Sequence, residues 1–284
     1  MRRSLLPLAL VILTVLKTGC GRGGSTSQPA TPPKRIVSMS PTATEMLFAI
    51  GAGSQVVAVD SNSNYPKEAP KTDLSAYQPN IEAIAGYKPD LIVYSNNPKE
   101  LTAGLSKLGI PAMKEPAATR LDDTYAQIDQ LGRATGHTAE AAKLVATMRA
   151  EIAKIVAAGR PERHLTYYHE LDKNLYTATS KTFIGQLYSL LGMENIADAA
   201  DKQKSGYPQL SAEYILASNP DIVVLADSIC CGQSLGTLSE RPGWSGIAAV
   251  RKRRVVAIDD SVASRWGPRI VQFARAVATV AKRS

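Results

Sequence analysis

The sequence predicts an α/β protein: two Rossmann-like lobes with mostly parallel sheets, joined by one long rigid helix. Three features carry that prediction. The first is an internal repeat, in which Glu82-Ala83-Ile84-Ala85-Gly86-Tyr87-Lys88-Pro89-Asp90-Leu91-Ile92-Val93 recurs as Glu213-Tyr214-Ile215-Leu216-Ala217-Ser218-Asn219-Pro220-Asp221-Ile222-Val223-Val224, with Glu, Pro and Asp each displaced by 131 residues. Each copy reads as a short helix, a Pro-Asp turn that ends it, and a buried β-branched strand. The second is the alternation of strand-like and helix-like segments around both copies, the pattern of a parallel sheet covered by helices. The third is the longest periodic segment, Thr138 to Ala158, with Ala141, Leu144, Val145, Met148, Ile152, Ile155 and Val156 on one helical face. It is built from Ala, Lys and Glu and ends only at Gly159 and Pro161, so it is a rigid connector rather than a flexible hinge. A chain of 284 residues accommodates two such lobes, each of about 120 residues and each able to bury a core.

Taken in order, residues 1–19 read as a signal peptide: Arg2 and Arg3, an apolar run from Leu5 to Leu16, then the small-residue exit Thr18-Gly19 before Cys20. The run is too short to cross a bilayer comfortably as a permanent anchor. Residues 20–33 form a Gly/Ser/Pro-rich tether. The Gly19-x-Gly21-x-x-Gly24 spacing there is no dinucleotide fingerprint, because no strand precedes it and no helix follows. The N-terminal lobe, 34–137, starts with a strand at Ile36 to Met39. A helix follows to Ile50, with Thr42 as its cap and Glu45 completing a capping box. Gly51 and Gly53 end that helix. Val56 to Val59 is the next strand, Asp60 to Lys71 a polar loop, and after the repeat come a helix (Lys99 to Leu108), a strand (Ile110 to Met113) and a helix (Asp122 to Thr135). The connecting helix occupies 138–160. The C-terminal lobe, 161–284, has strands at Leu165 to Tyr168 and Leu175 to Ala178, a helix from Thr182 to Leu191, then the second repeat. A long loop from Ala226 to Gly243, a strand at Val255 to Ile258, a loop holding Arg265-Trp266-Gly267-Pro268 and a terminal helix to Arg283 complete it.

The formal charge of +8 falls by three, to +5, without Arg2, Arg3 and Lys17. The densest basic cluster, Arg251-Lys252-Arg253-Arg254, precedes a strand and reads as a solvated turn, so no nucleic-acid partner is expected. Cys230 and Cys231 either close a strained vicinal disulfide or remain two unpaired thiols, and no C-x-x-C or partner histidine makes them a metal site. His137, His164 and His169 are not in H-E-x-x-H spacing, and no G-x-S-x-G elbow exists, so no catalytic residue is expected. An α/β enzyme acting on a small molecule is the alternative, since fold does not fix function.

The run from Arg35 to Glu45 (Arg-Ile-Val-Ser-Met-Ser-Pro-Thr-Ala-Thr-Glu), the two Glu-x6-Pro-Asp units, the connecting helix and Gly267-Pro268-Arg269 together resemble one family. From about Pro33 to its end the chain resembles a class III substrate-binding protein of bacterial ABC importers, the family that carries cobalamin, siderophores and haem. Asn64-Tyr65-Pro66 and Tyr77-Gln78-Pro79-Asn80-Ile81-Glu82 are most similar to its cobalamin-binding branch. The resemblance implies a monomer that holds its ligand between two lobes with little closure and delivers it to a permease dimer with ATPase subunits. Cobalamin would be cargo, not a cofactor. Glu82 and Glu213 would dock into arginine pockets of the permease, the plainer alternative being two solvated carboxylates. Thr18-Gly19-Cys20 resembles a lipobox, with Cys20 acylated and the protein anchored outside the cytoplasm; Lys17 departs from that pattern, which is usually aliphatic there.

The expected ligand-binding residues are Tyr65, Tyr77, Tyr94, Tyr168, Tyr207, Arg265 and Trp266, in loops or at strand ends facing the cleft, whereas Phe48, Tyr125 and Tyr188 fall mid-helix. Tyrosine offers a flat apolar face and one hydroxyl, which suits a corrin ring edged with amides. A siderophore would call for several cleft arginines, and haem for an axial group such as His169 beside Tyr168.

Overall fold

The computed structural model describes residues 31–95 and 99–283; the signal peptide, Cys20 and most of the tether lie outside the described residues. The N-terminal half runs β1 (Ile36–Met39), α1 (Pro41–Ala49), β2 (Val56–Val59), α2 (Ile81–Gly86), β3 (Leu91–Tyr94), α3 (Lys99–Lys107), β4 (Ala112–Lys114) and α4 (Leu121–Thr135). After the connector α5 (Thr138–Gly159) come β5 (Thr166–Glu170), α6 (Phe183–Leu190), β6 (Glu194–Asn195), α7 (Ala212–Ser218), β7 (Ile222–Leu225), α8 (Ser228–Cys231), α9 (Leu235–Ser239), α10 (Ala248–Arg251), β8 (Val255–Ala257), α11 (Asp260–Ser264) and α12 (Ile270–Ala281).

Two parallel sheets result, ordered β2-β1-β3-β4 and β6-β5-β7-β8. The order is the same in both. The repeat has a physical cause in the Pro-Asp turn. The Asp90 carboxylate accepts hydrogen bonds from the Lys34 and Arg35 backbone N–H groups (2.8 and 2.9 Å), fastening the start of β3 to the start of β1. Asp221 does the same for Thr166 at the start of β5 (3.2 Å). In register, Ile36 faces Leu91 and Tyr167 faces Ile222, so the 131-residue offset of the motif is also the offset of the central strand pair.

Helices α4 and α12 pack along α5, whose buried face is Ala141, Val145, Met148, Ile152, Ile155 and Gly159. The approach is close enough that a Cβ on Gly132 would overlap Ala141, and one on Gly159 would overlap Ala278. Leu144 and Val156, expected on the same face, are only partly buried at its edge.

Three local expectations are corrected. Helix α1 is capped by Ser40, whose hydroxyl accepts from the Ala43 N–H at 3.3 Å, not by Thr42; Pro41 at the first helical position fixes the start, so Thr42 and Glu45 lie inside the helix and form no capping box. The segment Leu175 to Ala178 is not a strand but makes only isolated bridges through Tyr176 and Thr177, and the edge beside β5 is taken by β6. The segment from Ala226 to Gly243 is not a plain loop, since it contains α8 and α9, each closed by a short-range cap.

Candidate functional site

The carboxyl ends of β1, β2 and β3 open onto a cavity of about 360 Å³, the position at which open parallel sheets present their binding crevices. One wall is polar and comes from the N-terminal lobe: Ser40 and Thr42 after β1, Asp60 and Asn62 after β2, Tyr77 from the following loop, and Ser95 after β3. The opposite wall is Ser264, Arg265 and Trp266, immediately after α11. Within the polar wall the Ser95 hydroxyl donates to the Ser40 hydroxyl (2.6 Å). Ser63 donates a short hydrogen bond to Asp60, whose carboxyl is nevertheless pushed above the usual range by burial.

A buried ion cluster holds the two walls together. Glu45, only 2% exposed, projects from the middle of α1 and accepts from Arg265 Nη1 (2.8 Å) and from Arg269 Nε and Nη2 (2.9 and 2.5 Å). Arg265 Nη2 also donates to the Asn62 carbonyl and the Asn64 side chain, at 2.9 and 2.8 Å. The Arg269 guanidinium lies 4.1 Å from the Tyr65 ring centroid. Trp266 Nε1 donates to Gln127 in α4 at 3.0 Å, so the segment from Arg265 to Arg269 is fixed to the N-terminal lobe at the Glu45, Asn64 and Gln127 side chains and the Asn62 carbonyl. Gly267 suits this place, since a Cβ there would sit 3.3 Å from a Glu45 oxygen.

Of the residues expected to bind ligand, the cavity gathers Tyr77, which is 73% exposed, with Arg265 and Trp266. Tyr65 is stacked under Arg269 and stands outside the lining. Tyr207 is half exposed on a loop of the C-terminal lobe, also outside it. Tyr94 and Tyr168 are corrections. Tyr94 ends β3 and Tyr168 lies in the middle of β5, strands whose two faces are covered by helices, so Tyr94 packs with Val37, Met39 and Leu101, and Tyr168 is fully buried with its ring 6.1 Å from Trp244. His169 is likewise inside: Nδ1 lies 2.7 Å from the Tyr188 hydroxyl, and burial pushes its pKa down to about 3, so it is neutral. Arg265 is not a free cleft cation, because its guanidinium is committed to Glu45, Asn62 and Asn64. Sequence reasoning missed Glu45. A carboxylate between Thr44 and Met46, inside a helix that otherwise reads as core, was the signal that could have found it.

Away from the cavity, Glu82 and Glu213 occupy the second residue of α2 and of α7, both exposed, behind the caps Asn80 and Ser211. Cys230 and Cys231 are both free and exposed. Among the described residues no cluster of three or more His, Cys, Asp or Glu could hold a metal ion, and no helix is long and apolar enough to cross a membrane.

Two parallel-sheet lobes on one connecting helix, with a crevice where they meet, frame this cavity. The chain belongs to the periplasmic binding protein family, which matches residues 36–262. It is 30% identical to an uncharacterized ABC transporter substrate-binding lipoprotein of Bacillus subtilis over 84% of this chain and 77% of that one. It is 33% identical to a cobalamin-binding protein of Halobacterium salinarum over 84% of this chain and 67% of the relative. Among solved structures it is similar to a periplasmic heme-binding protein from Roseiflexus sp. RS-1, at a TM-score of 0.74 and 26% identity, covering 88% of this chain and 99% of that one.

Proposed function

We propose that this protein is the extracytoplasmic binding component of an ABC importer, and that it carries cobalamin or a related corrinoid in the crevice between its lobes. The observation that carries the corrinoid reading is the pairing of exposed Tyr77 with Trp266 across a cavity whose only lining cation among the described residues, Arg265, is already committed to Glu45, Asn62 and Asn64. Flat apolar faces with neutral hydrogen-bonding groups suit a macrocycle edged with amides, and a strongly anionic chelate would leave its charge unanswered there. The 33% identical relative named for cobalamin supports the same ligand. A corrinoid is larger than the cavity and would extend from it into the open cleft. The axial pair that the sequence offered for haem, Tyr168 and His169, is fully buried, so a haem would have to take its axial group from the crevice wall instead.

Delivery would use Glu82 and Glu213, one exposed carboxylate per lobe at matched helix positions, meeting basic pockets on a two-fold permease driven by its ATPase subunits. Rim charges of this kind set orientation and encounter rate more than affinity. Acylation of Cys20 would hold the monomer at the membrane.

Calorimetry with cyanocobalamin, haemin and a ferric hydroxamate tests the ligand. Heat with cyanocobalamin alone, lost in Tyr77→Ala and Trp266→Ala, is the expected result. Silence with cyanocobalamin beside clear binding of either other ligand overturns it. The paired change Glu82→Ala with Glu213→Ala is expected to abolish uptake while leaving calorimetric affinity intact; normal uptake with the permease limiting overturns the docking role. Mass spectrometry of membrane-extracted protein reads the anchor directly, as a diacylglyceryl-modified Cys20 at the new N-terminus.

A further inference from the structure

Cys230 and Cys231 are the last two residues of α8, which packs against α11, the helix leading into Arg265 and Trp266. Successive side chains on a helix diverge by about 100°, and neighbours i and i+1 do not normally face each other. Here the two sulfurs stand 2.6 Å apart. Both residues are exposed, and Gly232, in the left-handed region at φ +69°, ends the helix straight after them, so no further turn covers the sulfurs. The arrangement is one of two thiols held face to face within reach of a bulky reagent.

We propose that Cys230 and Cys231 form a reversible redox site, a vicinal dithiol that closes to a disulfide by exchange with a disulfide oxidant outside the cytoplasm. Adjacent Cα atoms lie about 3.8 Å apart across a trans peptide, below the roughly 4.4–6.8 Å usual for disulfides. The closed form is therefore strained and easily reduced, as in labile bridges rather than structural ones. The hydrogen bond with Cys231, then burial, pushes the Cys230 pKa up to about 12, with Asp260 and Asp227 adding to the rise. Either sulfur can be the donor in their contact, so either can open the exchange. One of the two, as its thiolate, attacks one sulfur of the oxidant RSSR and expels RS⁻, forming a mixed disulfide. The neighbouring thiol then gives up its proton and attacks the protein sulfur of that mixed disulfide, expelling the second RS⁻. The two thiols are oxidised by two electrons, and RSSR is reduced to two RSH. The site does not depend on which ligand the crevice holds.

The test treats the folded protein with oxidised glutathione, blocks remaining thiols with iodoacetamide and maps the tryptic peptide Ser205–Arg251, which contains both cysteines and, because Pro242 follows Arg241, is not cut between them and its end. The expected peptide has lost two hydrogens and takes up no iodoacetamide, and dithiothreitol before blocking restores both alkylation sites. In Cys230→Ser the reaction should stop at a glutathione adduct on Cys231, since the resolving thiol is gone. A wild-type peptide that carries glutathione, or that remains doubly alkylated after oxidation, overturns the proposal, as does a bridge that dithiothreitol does not reopen in the folded protein.

Discussion

The two lobes share a sheet order, a central-strand register and an aspartate that fastens the start of one strand to the next, yet their opposite ends differ. In the N-terminal lobe β1 leads directly into α1, and the strand ends open onto the polar cavity wall. In the C-terminal lobe β5 runs on to Glu170, fully buried and gripped by both Arg241 nitrogens at 2.6 Å, and the crossover from β7 to β8 is lengthened by α8 and α9. The amino ends of the strands carry the repeat; the carboxyl ends carry the difference. A duplicated scaffold keeps what aligns its strands and varies the rim that meets ligand. The two buried Glu–Arg clusters express this directly, since Glu45 joins the lobes whereas Glu170 closes a loop within one.

Breaking those clusters should give the largest effects. Glu45→Ala and Glu170→Ala each strand partly buried guanidinium charge, and each is expected to cost about 3–5 kcal/mol in urea unfolding. Only Glu45→Ala should also weaken ligand binding, because it frees the segment that carries Arg265 and Trp266. Equal damage to binding from both variants would erase the distinction between a clamp across the lobes and one inside a lobe.

Next in size is a contrast in pH response just beyond β4 and β8. Glu115, 2% exposed with neither carboxylate oxygen partnered, is pushed up to about 8 by burial. Near the same place in the other lobe, Asp259 is held below the usual range: burial acts against it, but hydrogen bonds from Ser261 and the charges of Arg269 and Arg265 prevail. Between the unfolded carboxyl pKa and about 8 the folded protein holds a proton that the unfolded chain releases, so Glu115 makes stability fall as pH rises through that window, by up to about 5 kcal/mol at roughly 1.4 kcal/mol per unit. Unfolding midpoints of Glu115→Gln should lack this decline. Asp259→Asn should behave oppositely, destabilising above the unfolded pKa and losing its effect as pH falls through the depressed one.

Smaller still are the aspartates that define the repeat. Asp90→Ala and Asp221→Ala each remove the acceptor for strand N–H groups, at about 1–3 kcal/mol. The C-terminal copy should cost more, since Asp221 also pairs with Arg163 at 2.8 Å and stands 3.7 Å from the buried Arg254. Amide exchange at Arg35 and at Thr166, each measured in its own variant, reads the local loosening. Glu82→Ala and Glu213→Ala should leave the unfolding free energy unchanged within about 0.5 kcal/mol, because both side chains are exposed.

By itself the sequence determined the duplicated α/β scaffold, its parallel sheets and the connecting helix. Those rest on local signals: hydrophobic periodicity, a Pro-Asp turn read twice and an alanine-rich helix ended by Gly159. The crevice was legible only in part. Tyr77 and Trp266 could be placed because loops between strand ends must face the gap, whereas Tyr94 and Tyr168 looked equivalent in sequence and are buried by helices that arrive from elsewhere in the chain. Tertiary structure alone decided that Arg265 is held by an ion pair and that Glu45 is its partner, 220 residues away. A contact at that separation leaves no local pattern, because the chain between them must fold into two lobes before either charge meets the other.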